Sequence, residues 1–186
     1  MIPSIFTSID LELNKEGDNT TDIIQIGATI GDVFTGEILE KLSLYVKASK
    51  PIDPFIINLT GITDKILEEK GTTLLEAYNI LKEAHNKHSA HRMVIQWGGG
   101  DERILKEQLL QQGMKEEDWC FGRTFWNVKT LCQGIQLSKG LNIQGGLKKN
   151  CNRHGVLFEG PAHDALQDSL NTFKLFVKLL PKFKTL

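Results

Sequence analysis

The sequence has 186 residues, 40% of them hydrophobic, with 22 basic side chains set against 23 acidic ones for a formal net charge of −1. This is the profile of a single globular domain spanning residues 1–186, and it excludes a disordered chain and a protein that tracks long duplexes through a basic stripe. Cys120, Cys132 and Cys151 lack paired spacing, no apolar run reaches the roughly 18–20 residues of a membrane span, and the N-terminus carries no signal-peptide pattern. A soluble, cytoplasmic protein with reduced thiols and no membrane contact is expected.

Along the chain, residues 4–13 alternate with period two, Ile5, Ile9, Leu11 and Leu13 on one face and Ser8, Asp10 and Glu12 on the other, which predicts a strand. Residues 22–30 and 36–46 read as a second and a third strand, with Gly31, Asp32 and Gly36 supplying the turn between them. Pro51 and Pro54 mark an irregular stretch. Residues 72–86 carry Leu74, Leu75, Tyr78, Leu81 and Ala84 at helical spacing. Residues 93–97 read as a short buried strand ended by Gly98-Gly99-Gly100, and residues 101–112 as an amphipathic helix through Ile104, Leu105 and Leu109. A short strand at 123–126 is followed by helices at 127–137 and 146–154. The last helix runs over 165–180, with Leu166, Leu170, Phe173, Val177 and Leu180 on one face. The order predicts an α/β fold, a mixed sheet flanked by helices.

Four acidic side chains stand out. Asp10 and Glu12 share one face of an otherwise apolar strand, and two adjacent carboxylates there call for a cation unless the face is solvated. Asp101 opens a helix after a glycine triplet; N-capping and a site at a strand end are both open readings. His163 and Asp168 are five apart, so they share a side only if His163 lies in the loop before the last helix; capping by His163 or Asp164 is the alternative. Together the set suits phosphodiester hydrolysis. Two divalent cations activate water and stabilise the leaving oxygen, hard cations take carboxylate oxygens, and a histidine with a pKa near 6.5 accepts a proton at neutral pH.

Asp10-Leu11-Glu12, Asp101 and His163-Asp164-Ala165-Leu166-Gln167-Asp168 resemble, in order and spacing, the three motifs of the DEDDh 3′→5′ exonucleases. Residues 24–28 resemble that family's second strand, and Leu59-Thr60-Gly61-Ile62-Thr63 its Thr-Gly-Ile segment near the substrate. Trp97-Gly98-Gly99-Gly100-Asp101 is similar to the exoribonuclease branch. The resemblance implies a ribonuclease-H-like sheet of three antiparallel N-terminal strands plus parallel ones. It implies two Mg²⁺ or Mn²⁺ ions on Asp10, Glu12, Asp101 and Asp168, His163 as general base, and release of nucleoside 5′-monophosphates from single-stranded RNA or DNA 3′ ends. By the same analogy Leu11, Leu59, Thr60 and Ile62 contact substrate, and a homodimer is in keeping with the family. Three departures stand beside it: Leu13-Asn14-Lys15 replaces the common Thr-Thr-Gly, Ser169 replaces Ala, and Asp101 lacks an Asn-x-x-Phe lead-in.

A free-standing exonuclease is the leading expectation. A proofreading subunit acting with a polymerase and a non-catalytic nucleic-acid-binding module on the same fold are the alternatives. Two basic groups, Lys148, Lys149 and Arg153, then Lys174, Lys178, Lys182 and Lys184, read either as solvated helix faces or as a few phosphate contacts. Phe55 and Phe121 are further candidates to stack on a terminal base. His85, His88 and His91 are read as a solvated helix end and not as a metal site.

Overall fold

A computed structural model describes residues 2–16 and 20–181. Its five-stranded sheet has the order β3-β2-β1-β4-β5. β1 (Ile5–Glu16), β2 (Thr20–Asp32) and β3 (Ile38–Tyr45) form an antiparallel meander, and β4 (His91–Gln96) and β5 (Phe125–Asn127) continue it in parallel. The mixed sheet matches the expectation. β1 is therefore central, and Phe6 through Ile9 are all buried, so neither face of that stretch meets solvent.

The stretch after Pro51 is not irregular. It holds two helices, α1 (Pro54–Thr60) and α2 (Asp64–Lys70). Local chemistry explains both. Pro54 opens α1 where its missing N–H costs nothing, Asp53 accepts from the Phe55 N–H at 2.7 Å, and Gly61 ends the helix at φ 75°. Thr63 caps α2 by accepting from the Ile66 N–H.

α3 (Leu74–Lys87) begins with a reciprocal cap between Thr73 and Glu76 and buries Leu74, Ala77, Tyr78, Leu81 and Ala84. Leu75, placed on that face by the sequence, is half-exposed. α4 (Asp101–Gln111) follows β4, while α5 (Val128–Ser138) and α6 (Leu147–Arg153) lie between β5 and the last helix, α7 (Ala165–Leu179). α7 is buried over more than the predicted stripe: Ser169, Asn171, Thr172, Leu175, Phe176 and Leu179 are inside along with Leu170 and Phe173. Among the described residues no helix is long and apolar enough to cross a membrane.

α7 lies along β2 in step with it. Ala165 sits over Gly27, the Ser169 hydroxyl meets that of Thr29 at 3.0 Å, and the Phe173 ring fills the space beside Gly31. Four helical residues advance about 6 Å and two strand residues about 6.7 Å, so the contacts repeat down the pair. Ser169, the residue that departs from the family pattern, is here the partner of Thr29.

The three histidines read as a solvated helix end are separate and differently housed. His85 is 2% exposed, with Nδ1 2.8 Å from Thr7 Oγ1 and its ring edge-on to Phe121. His88 is 2.7 Å from a Glu40 carboxylate oxygen, and His91 lies against Phe6. Burial, reinforced by Arg92 and His91, lowers the His85 pKa to about 4. A buried neutral histidine stabilises the fold fully above its unfolded pKa near 6.5, and that stability is lost as pH falls through 4. Relative to His85→Asn, the parent is expected to lose about 3 kcal/mol between pH 6.5 and 4. Parallel urea titrations in chelator measure the difference, and a gap that does not narrow with falling pH contradicts it.

Candidate active site

Asp10 and Glu12 project from the face of β1 that α7 covers. Across the sheet, Asp10 pairs with Gly27 and Glu12 with Gln25. These two β2 residues seat α7. The Gln25 Oε1 accepts from the Ala165 N–H at 3.0 Å, its Nε2 donates to Ser43 Oγ, and Gly27 leaves room for the Ala165 backbone. The first turn of α7, carrying Asp168, is thereby held beside the β1 carboxylates.

Asp164 is the N-cap of α7, its side chain accepting from the Gln167 N–H at 3.1 Å. That leaves His163 outside the helix, exposed and at φ 62°, a left-handed conformation few residues adopt. The His163 peptide N–H donates to Asp168 Oδ2 at 3.1 Å, so the turn doubles back and the five-residue spacing brings the two together. Atoms of Glu12, His163 and Asp168 able to bind a metal lie within 4.8 Å of one another. The other Asp168 oxygen, Oδ1, is buried without a hydrogen-bond partner.

Asp101 is the first residue of α4, not its cap. Gly100 holds the cap position at φ 121° and no side chain caps the helix. The carboxylate is thus free of the structural duty that competed with a functional one. Its surroundings push it up to about 7, chiefly through burial and then through Glu102. Burial first, and then Asp101, Asp168 and Glu12, raise Asp10 well above the usual carboxylate range. Glu12 is raised to about 8 by burial, then by Asp168, Asp164 and Asp101. Asp168 is raised by burial against the opposing His163 N–H bond. The four carboxylates, drawn from three segments, share one field.

Asp10, Glu12, His163 and Asp168 line a groove of about 680 Å³. Its lining also includes Trp97, Phe158 and, from α6, Lys148, Lys149 and Asn152. Leu11 reaches the groove although it is only 7% exposed and packs in the core. Leu59, Thr60 and Ile62 are not in its lining. Leu59 is half-exposed on α1, the Thr60 hydroxyl donates to the Ile56 carbonyl, and Ile62 is buried with Ile24 and Leu67. Phe121 is core at 1% exposed. Cys120, Cys132 and Cys151 form no disulfide.

Residues 7–176 match the model of the exonuclease (RNase_T) family. The chain belongs to that family. The DEDDh resemblance read from the motifs therefore holds. The nuclease domain of 3′hExo, a DEDDh family member solved bound to rAMP, shares the fold at TM-score 0.78 and 19% identity, covering 97% of this exonuclease and 93% of that chain. Pop2p of S. pombe, solved with Mg²⁺ and Mn²⁺, superposes at TM-score 0.72 and 16% identity over 96% of this exonuclease and 84% of its own chain. In sequence, 109 residues (59% of this exonuclease) are 29% identical to the DNA polymerase III PolC-type of Mycoplasmopsis pulmonis (strain UAB CTIP), and they span 7% of that protein.

Proposed function

We propose that this exonuclease, as one domain in the cytoplasm, removes nucleoside 5′-monophosphates from single-stranded RNA or DNA 3′ ends in a reaction that needs two divalent cations. The observation that carries the reading is the gathering of Asp10, Glu12, His163 and Asp168 on one groove, with Asp101 in the same electrostatic field.

The donor set fits Mg²⁺ or Mn²⁺. All four carboxylates offer hard oxygen atoms, Asp168 Oδ1 is buried without a partner, and crowding of like charges is what a cation relieves. Asp10, Glu12, Asp101 and Asp168 are the residues to hold the ions, whose contribution is to activate water and stabilise the leaving oxygen. His163, a nitrogen donor on an exposed turn, is better suited to taking a proton from the attacking water, and its N–H bond to Asp168 keeps the imidazole near the carboxylates. Leu11, which lines the groove, is the residue proposed to touch the terminal nucleotide.

His163→Ala is expected to keep metal binding while lowering kcat by on the order of 10²–10⁴. Calorimetric titration with Mn²⁺ beside single-turnover rates separates the two; loss of metal binding would instead make His163 a ligand.

A second expectation concerns charge. Without metal, the raised Glu12 pKa means the folded state loses stability as pH rises from 4.5 to about 8. Glu12→Gln removes that cost. In chelator at pH 8 its Tm is expected to exceed the parent's by roughly 5–10 °C, while the rise produced by Mn²⁺ shrinks. Equal Tm values in chelator count against a crowded acidic site.

The direct test uses matched 5′-labelled RNA and DNA oligonucleotides with Mg²⁺, Mn²⁺ or chelator. A metal-dependent ladder shortening from the 3′ end supports the reading, and the faster substrate distinguishes RNA from DNA work. Uncut oligonucleotides in every lane, bound by folded protein, return the binding module. The alignment with a DNA polymerase III PolC-type protein favours one further reading, action beside a polymerase; weak activity alone, raised strongly by added polymerase, identifies it.

A further inference from the structure

α6 lines the same groove as the carboxylates, and its residues divide between an inner and an outer side. Leu147, Asn150 and Cys151 are buried, whereas Lys148, Lys149, Asn152 and Arg153 are exposed. The inner side is fixed by polar bonds as well as packing. Asn150 accepts from the Gln136 side-chain amide of α5 and donates to the Gly145 and Gly146 carbonyls at 3.0 Å. Arg153, grouped with the two lysines in the sequence, is turned away from them, donating to Gln136 Oε1 at 3.1 Å and to the Gln144 carbonyl at 2.6 Å. Of that basic group, only the lysines line the groove.

We propose that Lys148 and Lys149 hold backbone phosphates of the substrate strand on the 5′ side of the nucleotide being removed; this rests on the exonuclease reading above. Three observations support it. Both lysines line the same groove as Asp10, Glu12 and Asp168. Neither pairs with a carboxylate among the described residues, while Lys174 on α7 is committed to Glu159. Both stems are also placed in advance. Lys148 Nζ lies 5.6 Å from the centre of the Phe158 ring, and Lys149 runs over Gly145, where an added Cβ would stand 2.8 Å from Lys149 Cδ.

The physical need is plain. A groove floored by carboxylates repels a polyanion beyond the one phosphate that bound cations draw in, and two ammonium groups in the same lining offset that repulsion. The contact is to phosphate, so it carries no base preference. The lysines are positioning residues, since the phosphates they hold are not the one being cleaved.

The test compares the parent with the Lys148→Ala/Lys149→Ala and Lys148→Arg/Lys149→Arg double variants, all with unchanged Tm. Affinity for a single-stranded oligonucleotide is read by fluorescence anisotropy in Ca²⁺ over a salt series. Turnover in Mn²⁺ is read on the oligonucleotide and on a nitrophenyl ester of a nucleoside 5′-phosphate, which has one phosphate and nothing upstream. The alanine pair is expected to raise Kd and KM for the oligonucleotide roughly tenfold at low salt and to flatten the log–log salt slope by about 1.4, two contacts at about 0.7 each on a single strand. It leaves kcat and ester hydrolysis unchanged, and the arginine pair restores affinity. Unchanged Kd and salt slope, or an equal loss on the ester, overturns the proposal. A parent that hydrolyses neither substrate removes the exonuclease reading instead, and the Kd comparison still decides the role of the lysines.

Discussion

Asp168→Ala is expected to eliminate metal-dependent hydrolysis, lowering kcat by on the order of 10³-fold or more, beyond the 10–100-fold typical of losing an outer partner of a metal ligand. On the proposed reading Asp168 has two separate jobs. Oδ2 accepts the His163 N–H and so shapes the turn that carries the imidazole. Oδ1 is buried with no partner, the oxygen most in need of a cation. Alanine removes both, so an inactive Asp168→Ala protein does not by itself say which matters. Asp168→Asn separates them: it keeps an acceptor for the turn and removes the charge. An asparagine variant as inactive as the alanine one, with the parent's fold by circular dichroism, assigns the loss to the carboxylate. Asparagine with near-parental rates would show that Asp168 only arranges the turn, and the two-cation reading would lose one of its four ligands. The double variant Asp10→Ala/Glu12→Ala is the companion measurement, and full activity in it rejects the assignment outright.

The placement of Asp10 and Glu12 was legible because a local rule speaks there. Alternation in residues 4–13 puts Asp10 and Glu12 on one face whatever the rest of the chain does, and the apolar partners of that strand make it central. For His163 the sequence offers only a condition, that it lie before the helix; the Asp164 cap and the left-handed turn at His163 meet it. The helices at Pro54–Thr60 and Asp64–Lys70 escaped because two turns are too short to show an apolar period, although Asp53-Pro54 and Thr63 with Gly61 were start and stop signals in plain view. His85 read as solvated because its partner, Thr7, is 78 residues away. The α6 lining was hidden because which of Lys148, Lys149 and Arg153 reaches the groove depends on hydrogen bonds from outside the helix, those of Gln136 and Gln144 that claim the arginine. Lys182 and Lys184, read with the last helix's basic residues, lie outside the described residues.

Gly27→Ala is expected to destabilise the protein by at least about 3 kcal/mol, at the upper end of what overpacking costs. Its Cβ would stand 1.9 Å from the Ala165 carbonyl carbon, 2.0 Å from its oxygen and 2.3 Å from the Leu166 nitrogen, all of them backbone that no rotamer change can move aside. The first turn of α7 has to lift from β2. With it go the Gln25–Ala165 bond, the Thr29–Ser169 contact and the seating of Phe173 against Gly31. Asp168 rides on that turn, and Asp10 is the cross-strand neighbour of Gly27, so the same displacement parts the carboxylates of the site. Two readouts should therefore move together: the urea midpoint falls, and the fraction that remains folded turns over more slowly and binds Mn²⁺ more weakly. Gly134→Ala is the matched control. Gly134 lies inside α5 with no atom within 4 Å of an added Cβ, so alanine there is expected to stabilise by roughly 0.5–1 kcal/mol through helix propensity alone. If both substitutions shift stability alike, the close seating of α7 on Gly27 is not what holds the site together; opposite signs tie the geometry of the carboxylates to a single missing methyl group on β2.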